Sequence, residues 1–468
     1  MAKQLLDRFT ALGIGGKREK EYDRATAPEL VSSSIDEYGT RDIALGLKPN
    51  LDSFPIPMIE TITDADVLNR PWDAPSEIQQ VSNMVKVDLT WPRLTLNEAM
   101  AMIVLAMSNH TETISGGDTY VTATPKNDAS DIDLYSTCLT VNAYKGDGPD
   151  TDFTNYRYKD DYGAQAATFN PGLVRAYDGF FINSFELTLE RGTERLFQLT
   201  IDGYASGSYG ESAVWEDTVN TDFYQNNYVG KQINDLGTIA STNFRNSYVD
   251  SRSVHPTGRY LRGTDTRAYL AFTANNDASL ADLTAANTRR LTSGAVGDRS
   301  VSIGTENLLP TGGNVDGPAL IDLTNIAYSF SLSYNNNVDI EDLLRWGGGN
   351  RITAAEKQAA SIEVGMEFNL GDYSYFSKLI NDYNMALQLV CSPDANTGMG
   401  LLFPLVRQSE NTVSRRGIKR TQQITLMPMG VEAGTAPMYA DFRVDEADLQ
   451  EGTLFEEDGS NTLSTETQ

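Results

Sequence analysis

Cysteine and histidine are nearly absent from this chain of 468 residues, with two of each: Cys138, Cys391, His110 and His255. Two cysteines in so long a chain make no disulfide framework. Both fall in stretches that read as strands, which predicts free, buried thiols. Two histidines supply neither a zinc site nor a histidine-based triad, so no metal, no cofactor and no catalytic set is expected. No apolar run approaches the about 20 residues that cross a bilayer, and no membrane partner is expected. The first residues, MAKQLLDRFTALGIGGKREK, hold no apolar region followed by a small-residue cleavage site. That gives no secretory signal and points to assembly in a cytoplasm.

Basic residues are also scarce, 37 against 64 acidic ones, for a net charge of −27. Val444–Gln468 carries eight acidic residues and no basic one. That is under a third of the excess, so the folded body is acidic too. Sequence-independent DNA binding needs lysines and arginines to neutralise phosphates, so a body this acidic is expected to bind DNA poorly. The same acidity suits a wall that DNA slides past, because like charges repel within a screening length of about 8–10 Å. It equally suits plain solubility.

Alternation of apolar and polar residues dominates what is present. Val85, Val87, Leu89 and Trp91 alternate with Lys86, Asp88 and Thr90, a period of two that marks a strand with one buried face. Thr95 and Glu98 then fit a capping box opening a helix over Ala99–Met107, apolar nearly all round and so expected to be buried. Further strands are predicted near Pro55–Thr63, Tyr120–Thr124 and Leu134–Tyr144. Phe185, Leu187, Leu189 and Phe197, Leu199, Ile201 form the two arms of a hairpin around Arg191–Glu194. A second series follows: Arg267–Ala274, Ile326–Tyr334, Ile362–Phe368, a helix capped by Asp372 and running to Asp382, then Met385–Cys391, Leu401–Val406 and Gln422–Met427. Each half has a strand, a loop, an alternating strand and one helix, then more strands, which suggests a duplication. The expected fold is mainly β: two similar β-sandwich or open-barrel units, each flanked by one α-helix. The boundaries are an N-terminal arm over 1–50, a first unit over 51–205, a linker or insertion over 206–257, a second unit over 258–430, and an acidic C-terminal extension over 431–468.

No motif carries catalysis. GIGGK (Gly13–Lys17) is too short for a phosphate loop, and Gly347–Asn350 follows no strand. The acidic loop Asp147–Asp152, with Asp160 and Asp161, lacks calcium-loop spacing. Trp91 and Trp346 could face a sugar, but Trp91 is in phase with the buried face of its strand. The basic cluster Arg415, Arg416, Lys419 and Arg420 stands alone in an acidic protein. It reads as an inter-subunit or edge-guarding charge, ahead of an ordinary solvated surface and of a nucleic-acid patch.

Two segments resemble a known family. LYSTCLTVNAYKG with YDGFFINSFELTLERGTERLFQLTIDGYASG, and NIAYSFSLSYNNNVDIEDLLRWGGGN with SIEVGMEFNLGDYSYFSKLINDYNMALQLVC, are similar to the two halves of tail tube proteins of long flexible-tailed phages. The resemblance covers about Val81–Gly207 and Ile321–Met427. It implies a structural virion protein of the tail, with no enzymatic activity. Its partners would be copies of itself, in stacked trimeric pseudo-sixfold or hexameric rings, and other tail proteins. Genomic DNA would pass through the lumen without specific binding. The alternatives are a terminator, tip or decoration protein of the same virion, or a carbohydrate-binding or carbohydrate-active β-sandwich.

Overall fold

The protein is described here by a computed structural model covering residues 5–15, 44–47, 50–51, 57–63, 78–115, 118–126, 132–145, 171–190, 195–205, 209–212, 260–272, 320–340, 352, 354–369, 385–393, 397–416, 419–429 and 436–445. The first described strands are β1 (Leu5–Gly15), β2 (Ala44–Leu47), β3 (Asn50–Leu51), β4 (Pro57–Thr63) and β5 (Ile78–Trp91). Helix α1 (Leu96–Met107) precedes β6 (His110–Ser115), β7 (Asp118–Ala123), β8 (Thr137–Lys145), β9 (Pro171–Leu189), β10 (Phe197–Ala205) and β11 (Tyr209–Ser212). Then come β12 (Thr266–Phe272), β13 (Leu320–Asp322), β14 (Ala327–Asn335), β15 (Ser361–Asn369) and β16 (Met385–Cys391). The last are β17 (Gly398–Arg416), β18 (Lys419–Pro428) and β19 (Tyr439–Asp445). The protein is mainly β, and its strands join one antiparallel network that does not close.

Two strands of 19 residues organise that network, because each is long enough to serve two sheets in succession. Along the N-terminal half of β9, the neighbours are β8 and β11; β8 pairs in turn with β1, and β1 with β2. Along its C-terminal half they are β10 and β14; β10 continues to β5, and β5 to β3 and β4. The N-terminal half of β17 lies between β16 and β19, with β16 leading to β12 and β13. Its C-terminal half pairs with β18, which leads to β15 and β14. The two parts of the chain therefore meet twice: β9 pairs with β14, and β7 pairs with β19.

Both long strands change sheets at irregularities. The β8–β9 register slips between Thr137 and Leu139, opposite Gly179, whose φ of 64° is a left-handed conformation that glycine adopts without cost. The β16–β17 register slips between Met385 and Leu387, where Pro404 and Leu405 lie opposite. Proline is tolerated at such a bulge because no ladder bond needs its missing N–H. A second slip leaves Asn183 unpaired on β9 and Ser409 unpaired on β17. Gly203 sits beside the first of these. A Cβ there would meet the Phe180 ring at 2.8 Å and the Phe181 carbonyl at 2.9 Å, so only glycine fits.

The core lies on one face of the β5–β10–β9–β14–β15 sheet. Val85, Val87, Leu89, Trp91, Leu187, Leu199, Leu332, Val364 and Phe368 are all buried there, as their alternation predicts. Helix α1 packs against β9, β7, β17 and β19, and every residue from Glu98 to Met107 is buried. It opens on Thr95, whose hydroxyl oxygen accepts from the Glu98 N–H. The Glu98 carboxylate accepts from the Thr95 hydroxyl (2.6 Å) and from Trp91 Nε1 (3.1 Å), so the cap also satisfies the buried indole.

Three stretches set outside the two expected units carry described strands. Within the stretch expected to be an arm, Leu5–Gly15 pairs with β8 and Ala44–Leu47 pairs with β1. Alternate glycines at 13 and 15 hide its period. Within the expected linker, Tyr209–Ser212 pairs with β9. Within the expected acidic extension, Tyr439–Asp445 joins both parts of the network, with Ala440, Phe442 and Val444 buried. The predicted helix at Asp372–Asp382, the hairpin turn Arg191–Glu194, Trp346, Gly347–Asn350, the acidic loop at Asp147–Asp161 and Glu446–Gln468 lie outside the described residues. No helix among the described residues is long and apolar enough to cross a membrane.

Candidate functional site

The face of this sheet opposite the core carries rows of polar side chains, because the strands that bury one set of side chains must turn the other set outward; beside them Phe181 is buried in a small apolar cluster with Leu134, Ile352 and Ala355, against which Tyr204 packs. Cross-strand register sets it out in rows. Thr90, Thr200, Glu186, Ser333 and Glu363 run side by side across five strands. Gln198, Thr188, Ser331, Gly365, Thr425 and Glu410 form the next row. Gly365 is required in that row, since a Cβ would stand 2.5 Å from the Ser331 hydroxyl. Serine, threonine and carboxylate side chains thus tile these rows.

One charged cluster stands out on this face. Register places Asp88 directly opposite Asp202. Lys86 Nζ lies 3.4 Å from Asp88 Oδ1 and 3.3 Å from Asp202 Oδ1. Burial raises the Asp202 carboxyl above its ordinary pKa, and the hydrogen bond with Asp88 adds to the rise, against the pull of Lys86. Burial lowers the Lys86 ammonium, but the Asp202 and Asp88 carboxylates outweigh it, and the net shift is upward. The cation holds two like charges together. Lys86, Asp88 and Asp202 were each legible as members of a wet face, but their meeting depends on the β5–β10 register, which no local pattern encodes.

The four predicted cationic residues come together at the end of the β17–β18 hairpin. Arg415 stands opposite Arg420, and Arg416 opposite Lys419. Like charges directly across a ladder repel.

The remaining candidates carry no chemistry. Cys391 is free and fully buried; burial pushes its thiol up to about 12, and its Sγ donates to the Arg262 carbonyl. A thiol so protonated is no nucleophile. Cys138 lies on β8. Trp91 is buried under α1 and offers no platform to a sugar. Among the described residues, no three His, Cys, Asp or Glu side chains gather to hold a metal. No protein-family model and no curated protein matches the chain.

Proposed function

We propose that this chain is a tail tube subunit of the long flexible-tailed phage type, built from two copies of one structural unit and assembling with its own copies into rings that stack around a DNA-conducting lumen. The observation that carries the reading is the ladder order. In the first part β1 pairs with β2 and β8, β8 with β9, β9 with β10 and β11, β10 with β5, and β5 with β3 and β4. In the second part β12 pairs with β13 and β16, β16 with β17, β17 with β18 and β19, β18 with β15, and β15 with β14. Each of these strands has its counterpart in the same place, with β14 standing for β3 and β4 together.

The registers agree residue by residue. Leu139 opposite Tyr177 corresponds to Leu387 opposite Phe403, and Asp202 opposite Ser184 corresponds to Thr425 opposite Glu410. The unpaired Asn183 and Ser409 fall at equivalent positions. Bulges are features that related units keep. Two unrelated sandwiches would not place both slips alike. Between the units the sheet continues through β9–β14, so its polar, acid-bearing face is one surface, suited to line a bore that DNA passes without adhering.

Electron microscopy of the purified chain tests this. The expected result is rings or tubes with an open bore. Three chains per ring would give six units, and each contact should bury well over about 1,000 Å². A chain that stays monomeric at high concentration sinks the proposal.

A further inference from the structure

From the seam inside the chain, we infer the seam between chains: the outer edge of β17 pairs antiparallel with β3 and β4 of a second copy, in the register that β9 uses with β14. The inference rests on the two-unit reading above and deepens it by assigning the self-association surface. Within the chain, the first unit offers the C-terminal half of β9 and the second covers it with β14. The counterpart of that half-strand is Arg407–Arg416 of β17. Among the described residues it pairs with β18 alone, and Ser409, Glu410, Thr412, Val413, Ser414 and Arg415 are exposed. The counterpart of β14 is β3 with β4, which among the described residues pair with β5 alone. The described residues therefore present two open edges of opposite kind. The one known way these units join consumes one of each.

Register follows from the internal seam. There Leu189 stands opposite Phe330, Phe185 opposite Tyr334, and Ser184 opposite Asn335. Carried to the counterparts, Arg415 stands opposite Leu51, Asn411 opposite Pro57, and Glu410 opposite Met58. Such a contact is heterologous, joining different surfaces of the two partners. It closes a ring when the rotation per unit is right and removes every open sheet edge at the seam.

Disulfide trapping tests the register. Two singly substituted full-length chains, Met58→Cys and Glu410→Cys, are mixed, allowed to assemble and oxidised. Directly opposed residues have Cβ atoms about 4.5–5.5 Å apart, close to disulfide geometry. The expected result is a covalent dimer in the mixture and in neither chain alone. A mixture of Met58→Cys and Ser414→Cys, about 13 Å further along the strand, should yield at least tenfold less. Assemblies that form without the Met58–Glu410 bond, or that favour Ser414, overturn the seam and leave the tube reading standing. An unsubstituted chain that never assembles overturns both. If the cysteine chains fail to fold, image reconstruction of the unsubstituted ring reads the same strand pair, and any other neighbour for β17 refutes it.

Discussion

The C-terminal halves of β9 and β17 hold the same place in the ladder order and bear opposite side chains. On β9, Phe185 and Leu187 are buried, facing Ile201 and Leu199 of β10. At the matching positions of β17 stand Asn411 and Val413, facing Ile424 and Gln422 of β18. Val413 is 43% exposed, and Gln422 Nε2 donates to Asn411 Oδ1 at 2.9 Å. Further along, Leu189 is matched by Arg415. The difference lies in what covers each strand. β14 seals β9 within the chain, so its positions can be apolar. β17 has no covering strand among the described residues, and an apolar edge there would stick indiscriminately. Topology alone does not decide which strand is greasy; the neighbour does.

The largest effect should come from emptying the sealed side. Tyr334 is fully buried, its ring stacked on Phe185 at 5.1 Å between centroids. Tyr334→Ala removes that ring from the middle of the β9–β14 seam and should cost about 3–5 kcal/mol in urea unfolding of dilute protein. Val413→Ala at the open edge should change stability by less than about 0.5 kcal/mol under the same conditions. Comparable losses at the two sites would mean that β17 is covered within the chain after all, and the contrast would fail.

A smaller effect tests the polar pin of the same seam. Asn336 is fully buried and donates through Nδ2 to the Ala106 carbonyl (2.9 Å) and the Ile182 carbonyl (3.0 Å), while Oδ1 accepts from the Tyr334 hydroxyl. The Ala106 carbonyl is in the last turn of α1, where helical partners run out. One amide thus ties α1, β9 and the end of β14. Asn336→Ala leaves those groups buried without this partner and should cost about 2 kcal/mol. Combined with Tyr334→Phe the losses should be less than additive, because both remove the same hydrogen bond. Strict additivity in the double-mutant cycle would show that the pin does not act as one unit.

Much of this architecture is legible in local pattern. β5, β10, β14 and β15 announce themselves by alternation, and Thr95 with Glu98 marks the start of α1, because burying one face is a local demand. The same reasoning could have found β19, where Ala440, Phe442 and Val444 alternate with Tyr439, Asp441 and Arg443; its acidic flank concealed it. β11 has no such stripe, since YGES is held to β9 through backbone pairing. The pairings that join the two parts, β9 with β14 and β7 with β19, link residues far apart in sequence, and no periodicity specifies them. The candidate face was legible in membership but not in arrangement. Its acidic residues could be named from each strand, while the meeting of Lys86, Asp88 and Asp202 is a product of register.

The smallest effect belongs to that cluster. It sharpens the comparison because the positions on β15 and β18 that match Lys86, Asp88 and Asp202 hold Glu363, Gly365 and Thr425, with no cation between two acids. Asp202 titrates above its ordinary value in the folded chain, through burial first and its hydrogen bond with Asp88 second. The fold therefore favours its protonated form, and its contribution to stability declines as pH rises from about 4 through the folded pKa. Lys86, shifted upward, contributes throughout that range and loses its effect only as pH rises through its own folded pKa, above 10.5. Lys86→Met should thus cost less at pH 4, where the raised Asp202 carboxyl holds its proton to a greater extent. At pH 7, with two carboxylates facing each other unrelieved, it should cost up to about 1 kcal/mol, an amount limited by solvent screening of a partly exposed pair. Asp202→Asn in the same background should restore most of that loss at pH 7 and have less effect at pH 4. Urea midpoints at the two pH values, at constant ionic strength, decide it. A Lys86→Met penalty independent of pH would mean that the lysine acts through the packing of its aliphatic stem rather than by holding two acids together.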